Sequence, residues 1–96
     1  MLKPDPTRRF KKDLKKYEHN KPVKKELETV LGFLLKEEKL HEKYLDHALT
    51  GSYVSFRKCH VKPNALLIYW IDDEYVHLTR IGSHSELFKH KDIAQP

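Results

Sequence analysis

The chain is poor in the residues that several kinds of site are built from. Cys59 is the single cysteine in 96 residues, which excludes an internal disulfide framework and a zinc site built on thiolates. No Cys-x-x-Cys is present, and no His-x-x-x-His pair falls on a segment expected to be helical. There is no Gly-x-Ser-x-Gly elbow, which argues against Ser-His-Asp hydrolysis. No apolar run approaches the roughly 20 residues of a membrane-spanning helix. The opening residues Met1–Pro6 lack the apolar stretch of a secretory leader, so a cytoplasmic protein is expected. No internal repeat or low-complexity stretch appears, and the length suits one domain.

Basic charge is what the chain has in excess. Nineteen Lys and Arg against fourteen Asp and Glu leave a net charge of +5, and 34% of residues are charged. The excess sits between Arg8 and Lys25, where Lys11, Lys12, Lys15 and Lys16 cluster. A solvated helix face would show the same lysines. The functional reading is a track for phosphates, with salt-dependent affinity for a nucleic acid.

The spacing of apolar residues predicts a short N-terminal edge strand over Met1–Asp5, where Pro4 is tolerated. Thr7 is the expected cap of a first helix carrying Phe10, Leu14 and Tyr17. His19-Asn20-Lys21 breaks it. Pro22 opens a second helix whose apolar face is Val23, Leu27, Val30, Leu31, Leu34 and Leu35. Residues 37–52 read as irregular. A strand is expected from Tyr53 to Val61, a turn at Lys62-Pro63-Asn64, and a fully covered central strand from Ala65 to Ile71. A last strand runs from Tyr75 to Ile81. Strict alternation puts Val76, Leu78 and Arg80 on one face and Tyr75, His77 and Thr79 on the other. Ser83 and Glu86 form a capping box for a final helical turn with Leu87 and Phe88. The domain spans residues 1–88, and residues 89–96 are expected to fray. The fold class is α+β: a strand, a helical hairpin and a three-strand antiparallel meander, with the helices on one face.

Seven histidines are many for this length. With no metal-ligand spacing, the expectation is no metal and no other cofactor. A meander brings the C-terminal ends of its first and third strands to one rim, so His60 can meet Arg80 and His84. Imidazoles titrate near neutral pH and serve as base or acid. An arginine beside them supplies permanent charge to a pentavalent phosphate. These are the parts for cleaving RNA through its own 2′-hydroxyl. Each residue also has a plainer reading: turn histidines, an arginine snorkelling from the sheet, and Phe88 as a core plug.

Five segments in order carry a family resemblance: Phe10-Lys11-Lys12-Asp13-Leu14, Asp46-His47-Ala48-Leu49-Thr50-Gly51, Arg57-Lys58-Cys59-His60-Val61-Lys62-Pro63-Asn64, Leu66-Leu67-Ile68-Tyr69, and Arg80-Ile81-Gly82-Ser83-His84-Ser85-Glu86-Leu87-Phe88. Together they resemble the YafQ-like branch of the RelE toxin superfamily. The resemblance implies a RelE-like α+β fold and the toxin of a type II toxin-antitoxin system. Such a toxin is a ribosome-dependent mRNA endonuclease, neutralised by a small acidic antitoxin in a hetero-oligomer and monomeric when alone. It places His47, His60 and His84 on the family's active-site histidines, Arg80 on its transition-state arginine and Phe88 on an aromatic that orients substrate. Arg57, Lys58 and Asn64 fall on family positions near the substrate.

Two of these positions depart from the family pattern, which often has carboxylates at Lys58 and Asn64. A lysine beside a catalytic histidine lowers that histidine's pKa, so a slow enzyme that quickens as pH falls from 7.5 towards 6 is expected. The alternative is a catalytically weakened relative that acts by binding RNA or antitoxin.

Overall fold

The structure, a computed structural model, describes residues 1–51 and 55–88. β1 (Lys3–Pro6) leads into α1 (Arg8–Leu14), which tightens into a 3-10 turn over Lys15–Tyr17. Next come α2 (Lys21–Leu35), a second 3-10 turn at Glu42–Tyr44 and the two-residue strand β2 (His47–Ala48). The described residues end with β3 (Arg57–Lys62), β4 (Ala65–Ile71), β5 (Tyr75–Gly82) and α3 (His84–Phe88). The strands make one sheet in the order β1-β5-β4-β3-β2. β1 runs parallel to β5, and every other pair is antiparallel.

The helices start where polar side chains satisfy their first free N–H groups. Thr7 Oγ1 accepts from the Phe10 amide at 2.9 Å, and Asn20 Oδ1 accepts from the Val23 amide at 3.2 Å. Val23, Leu27, Val30 and Leu34 then form one buried stripe on α2. With Phe10 they cover the sheet face formed by Cys59, Val61, Leu67, Tyr69, Val76 and Leu78. The opposite face holds a smaller core of Leu49, Leu66, Ile68, Leu87 and Phe88. β4 therefore feeds two cores, Ala65, Leu67 and Tyr69 on the helix side and Leu66 and Ile68 on the other. That is why its sequence shows no alternation. Each fully buried leucine or isoleucine there contributes about 1.5–3 kcal/mol.

The capping box forms as the sequence predicts. Ser83 Oγ accepts from the Glu86 amide at 3.2 Å, and Glu86 Oε1 accepts from the Ser83 amide at 2.9 Å. Gly82 lets α3 fold back onto the sheet. A Cβ there would sit 3.2 Å from both Glu86 Oε1 and Leu87 Cδ2.

Three expectations need correction. The segment expected to be irregular contains β2, where His47 pairs with Lys58 and Ala48 with Arg57. A strand of two residues is too short to show a period. It follows Leu45, whose φ of 50° reverses the chain in the left-handed region. The first meander strand begins at Arg57; Phe56 instead packs against the smaller core, and Tyr53 and Val54 lie outside the described residues. Finally, β5 does not alternate strictly. Ile68 pairs with Arg80 but Tyr69 pairs with Leu78, so Thr79 is an extra residue in the strand. This bulge puts Arg80 on the face opposite Val76 and Leu78. The expected fraying tail, residues 89–96, lies outside the described residues.

Candidate active site

Cross-strand register builds the site. His47, Lys58, Ile68 and Arg80 are successive partners across β2, β3, β4 and β5. His60, Leu66 and Gly82 form the next row on the same face. α3 starts two residues beyond Gly82 and brings His84 over this face, where its ring lies 4.8 Å from that of Phe88. Without the Thr79 bulge, Arg80 would point at the helices.

The electrostatics of His60 register this convergence. Burial, and then the positive charges of Lys58, His47 and His84, push its pKa below the ordinary histidine value. His60 is thus held neutral at pH 7. His47 Nδ1 lies 2.8 Å from the carbonyl of Leu45. A carbonyl only accepts, so the proton of this bond belongs to Nδ1, and Nε2 is the nitrogen that exchanges protons. His60 also borders a cleft of about 410 Å³ with Tyr44, Leu45 and Lys62.

The positive charges differ in character. Arg80 is held by Asp13 of α1, Nε to Oδ2 at 2.8 Å and Nη2 to Oδ1 at 3.1 Å. The Asp13 carboxylate is buried and also accepts from the Ile81 amide at 3.2 Å. Arg80 is therefore anchored in the fold and does not snorkel. Lys58 is only 5% exposed, and its Nζ lies 5.1 Å above the Phe88 ring. Burial lowers its pKa. Phe88 is itself 2% exposed, packed in the smaller core.

Other expected site residues lie elsewhere. Arg57 sits on the helix-facing side, where Asp46 accepts from its Nε and Nη2 at 3.2 and 2.9 Å and from the Tyr69 hydroxyl. Asn64 is exposed in the β3–β4 turn and borders a cleft with Tyr17, Asn20 and Pro22. Lys11 and Lys15 line a groove between α1 and α2. Lys12 is exposed, and Lys16 pairs with Glu86 at 3.0 Å. Among the described residues no group of three or more His, Cys, Asp or Glu is arranged to hold a metal ion. No helix among them is long and apolar enough to cross a membrane.

Asp13, Asp46 and Tyr69 carry roles that the sequence did not assign. Asp13 had a signal: three residues after Phe10, it falls on the apolar stripe of an otherwise basic helix. Asp46 and Tyr69 had none, because their partnership depends on β2.

The geometry is that of a small basic α+β domain, a five-strand sheet with two helices on one face and a histidine-lined opposite face. Residues 2–89 match the family model for the YafQ bacterial toxin of type II toxin-antitoxin systems, and the chain belongs to this family. The mRNA interferase toxin YafQ of Escherichia coli strain K12 is 42% identical over 45 residues, which cover 47% of this chain and 49% of that protein. The match to this curated relative thus spans about half of its length. A copper-bound L66S mutant toxin from Helicobacter pylori superposes with a TM-score of 0.86 at 42% identity, covering 92% of this chain and all of that one. A chain of the E. coli DinJ-YafQ toxin-antitoxin complex superposes with a TM-score of 0.81 at 28% identity, covering 91% of this chain and 97% of that one.

Proposed function

We propose that this chain is the toxin of a type II toxin-antitoxin pair and cleaves messenger RNA on the ribosome through the RNA's own 2′-hydroxyl. The observation that carries the reading is the placement of His47, His60, Lys58 and Arg80 on one sheet face, with His84 brought over it by α3. His60, held neutral, takes the proton of the 2′-hydroxyl. The 2′-oxygen bonds to phosphorus while the bond from phosphorus to the 5′-oxygen breaks. His47, through Nε2, returns a proton to that leaving oxygen. The products are a 2′,3′-cyclic phosphate and a 5′-hydroxyl. Arg80 stabilises the pentavalent phosphate. Lys11, Lys12 and Lys15 contact the RNA backbone. Imidazoles and cations suffice for these steps, so the reaction proceeds without a metal ion.

The partner in this reading is a small acidic antitoxin, drawn by the +5 chain. The E. coli YafQ chain is paired with DinJ in its complex. Ribosomes place the reaction in the cytoplasm. One observation favours the alternative, a binding-only relative: the charge of Arg80 is already matched by Asp13.

The test is cleavage of a translated message, with the new ends mapped. Cyclic-phosphate ends, lost in His60→Gln, are expected. An intact message with folded wild-type protein would overturn the catalytic reading and support the alternative.

A further inference from the structure

Lys58 is a charged group in a place where charge is expensive. Lysine is almost never this buried unless paired. Among the described residues no carboxylate pairs with it, and the contact found is the face of Phe88. Three imidazoles neighbour it on this face. His47 flanks it on β2, His60 lies two residues along β3, and His84 is on α3. Arg80, in the same row on β5, has its charge answered by Asp13 from α1. Glu86 of α3 is committed to Lys16 and to the Ser83 amide. Among the described residues the face therefore carries an ammonium with no anion to meet it, bordered by imidazoles.

We propose that Lys58 receives the scissile phosphate and supplies the uncompensated positive charge of the site, which makes it a catalytic residue. The proposal rests on the ribonuclease reading above. Its ammonium binds a non-bridging phosphate oxygen and stays protonated throughout; proton transfer remains with the histidines. Phe88 acts as a positioning residue, since its ring holds the ammonium from behind and is too buried to stack on a base. The burial that costs stability in the free protein is what strengthens the contact with phosphate, because the charge faces it in a poorly solvated setting. This reverses the expectation that a lysine here handicaps the enzyme.

The test is Lys58→Met, which keeps the chain length and removes the charge, beside Lys58→Arg and Lys58→Gln in case the methionine variant does not fold. Message cleavage on ribosomes is expected to fall by about 10²–10³-fold in Lys58→Met and Lys58→Gln, as when a transition-state donor is lost. Lys58→Arg retains more activity than either. A neutral variant that cleaves within about threefold of wild type overturns the proposal. A second readout needs no catalysis: inorganic phosphate titrated into the full chain, followed by NMR of the imidazoles. Saturable shifts at His60 and His84 are expected in wild type and absent in the neutral variants; equal shifts in both overturn the proposal. If wild type cleaves no message, the ribonuclease reading fails, and the phosphate titration alone decides the role of Lys58.

Discussion

The carboxylate of Asp13 on α1 grips the guanidinium of Arg80 on β5 at two points, 2.8 and 3.1 Å. Both groups are largely withdrawn from solvent, at 3% and 16% side-chain exposure. This pair joins the basic helix to the site strand and sets the direction of the guanidinium. It also makes Arg80 a structural residue as well as a candidate catalytic one, whereas the plainer reading of the sequence is an arginine snorkelling from the sheet.

Replacing Arg80 by alanine is therefore expected to destabilise the protein by about 3–5 kcal/mol, because a buried carboxylate loses its partner. Asp13→Asn in the same chain should recover part of that loss. Urea unfolding of the two single variants and the double variant checks this. A loss below about 1 kcal/mol for Arg80→Ala would mean that Asp13 is satisfied without it.

The pH dependence of cleavage should carry the signature of His60. Its pKa lies below the ordinary value of about 6.5, so the base stays competent above that pH and loses activity as pH falls beneath it. Removing the neighbouring charge with Lys58→Met should move this limb upward. Single-turnover rates from pH 5 to 8 measure it, and a limb that stays in place would separate Lys58 from His60.

At the opposite end of the sheet, His77 bridges two carboxylates, with Nδ1 2.7 Å from Asp5 and Nε2 2.7 Å from Asp72, and stacks on Trp70 at 3.8 Å. Hydrogen bonding to Asp72, and then to Asp5, raises its pKa. The stabilisation is complete below about pH 6.5, the unfolded value, and is lost as pH rises through the elevated folded value. His77→Gln should remove that decline. Urea midpoints of both proteins, measured on either side of this window, are the comparison; equal slopes would dismiss the bridge.

Asp46 precedes His47 and ties Arg57 and Tyr69 together on the far side of the sheet. Asp46→Ala removes the carboxylate that both partners share, at an expected cost of about 1–3 kcal/mol. It also loosens β2, so cleavage should fall although Asp46 does not face the site. Arg57→Ala is expected to reproduce this with ribosome affinity unchanged. Weakened affinity with normal stability would instead place Arg57 on the RNA.

Charge reversal at Lys11, Lys12 and Lys15 should weaken ribosome binding and flatten its salt dependence, by a slope of roughly 0.7 for each lost phosphate contact. Lys16 is a different case, because its exposed pair with Glu86 contributes roughly 0–1 kcal/mol to holding α3. Unaltered affinity in the triple variant would return these lysines to an ordinary solvated face.

Local signals in the sequence settled most of the elements. Thr7, Pro22 and the Ser83–Glu86 pair mark helix starts, Thr7 and Ser83 by accepting from N–H groups a few residues away and Pro22 by presetting its own φ. The apolar stripe of α2 and the unbroken run of β4 are legible because burial on one face or two leaves a period, or its absence, in the chain itself. His60 and Arg80 at one rim also followed from sequence, since meander connectivity alone puts those strand ends together.

Tertiary structure decided what those side chains meet. A single unpaired residue, Thr79, determines which face Arg80 occupies, and a bulge has no signature in the composition of a strand. β2 is too short to read alone and exists through its pairing with β3, so the Asp46–Arg57–Tyr69 network was hidden with it. The burial of Lys58 and the pairing of Asp13 with Arg80 link residues on separate elements, 67 positions apart in the second case. Charge and periodicity are properties of neighbouring residues, and sequence exposes them. Whether a charge is paired, desolvated or waiting for a phosphate depends on distant segments packed against it, and only the fold determines that.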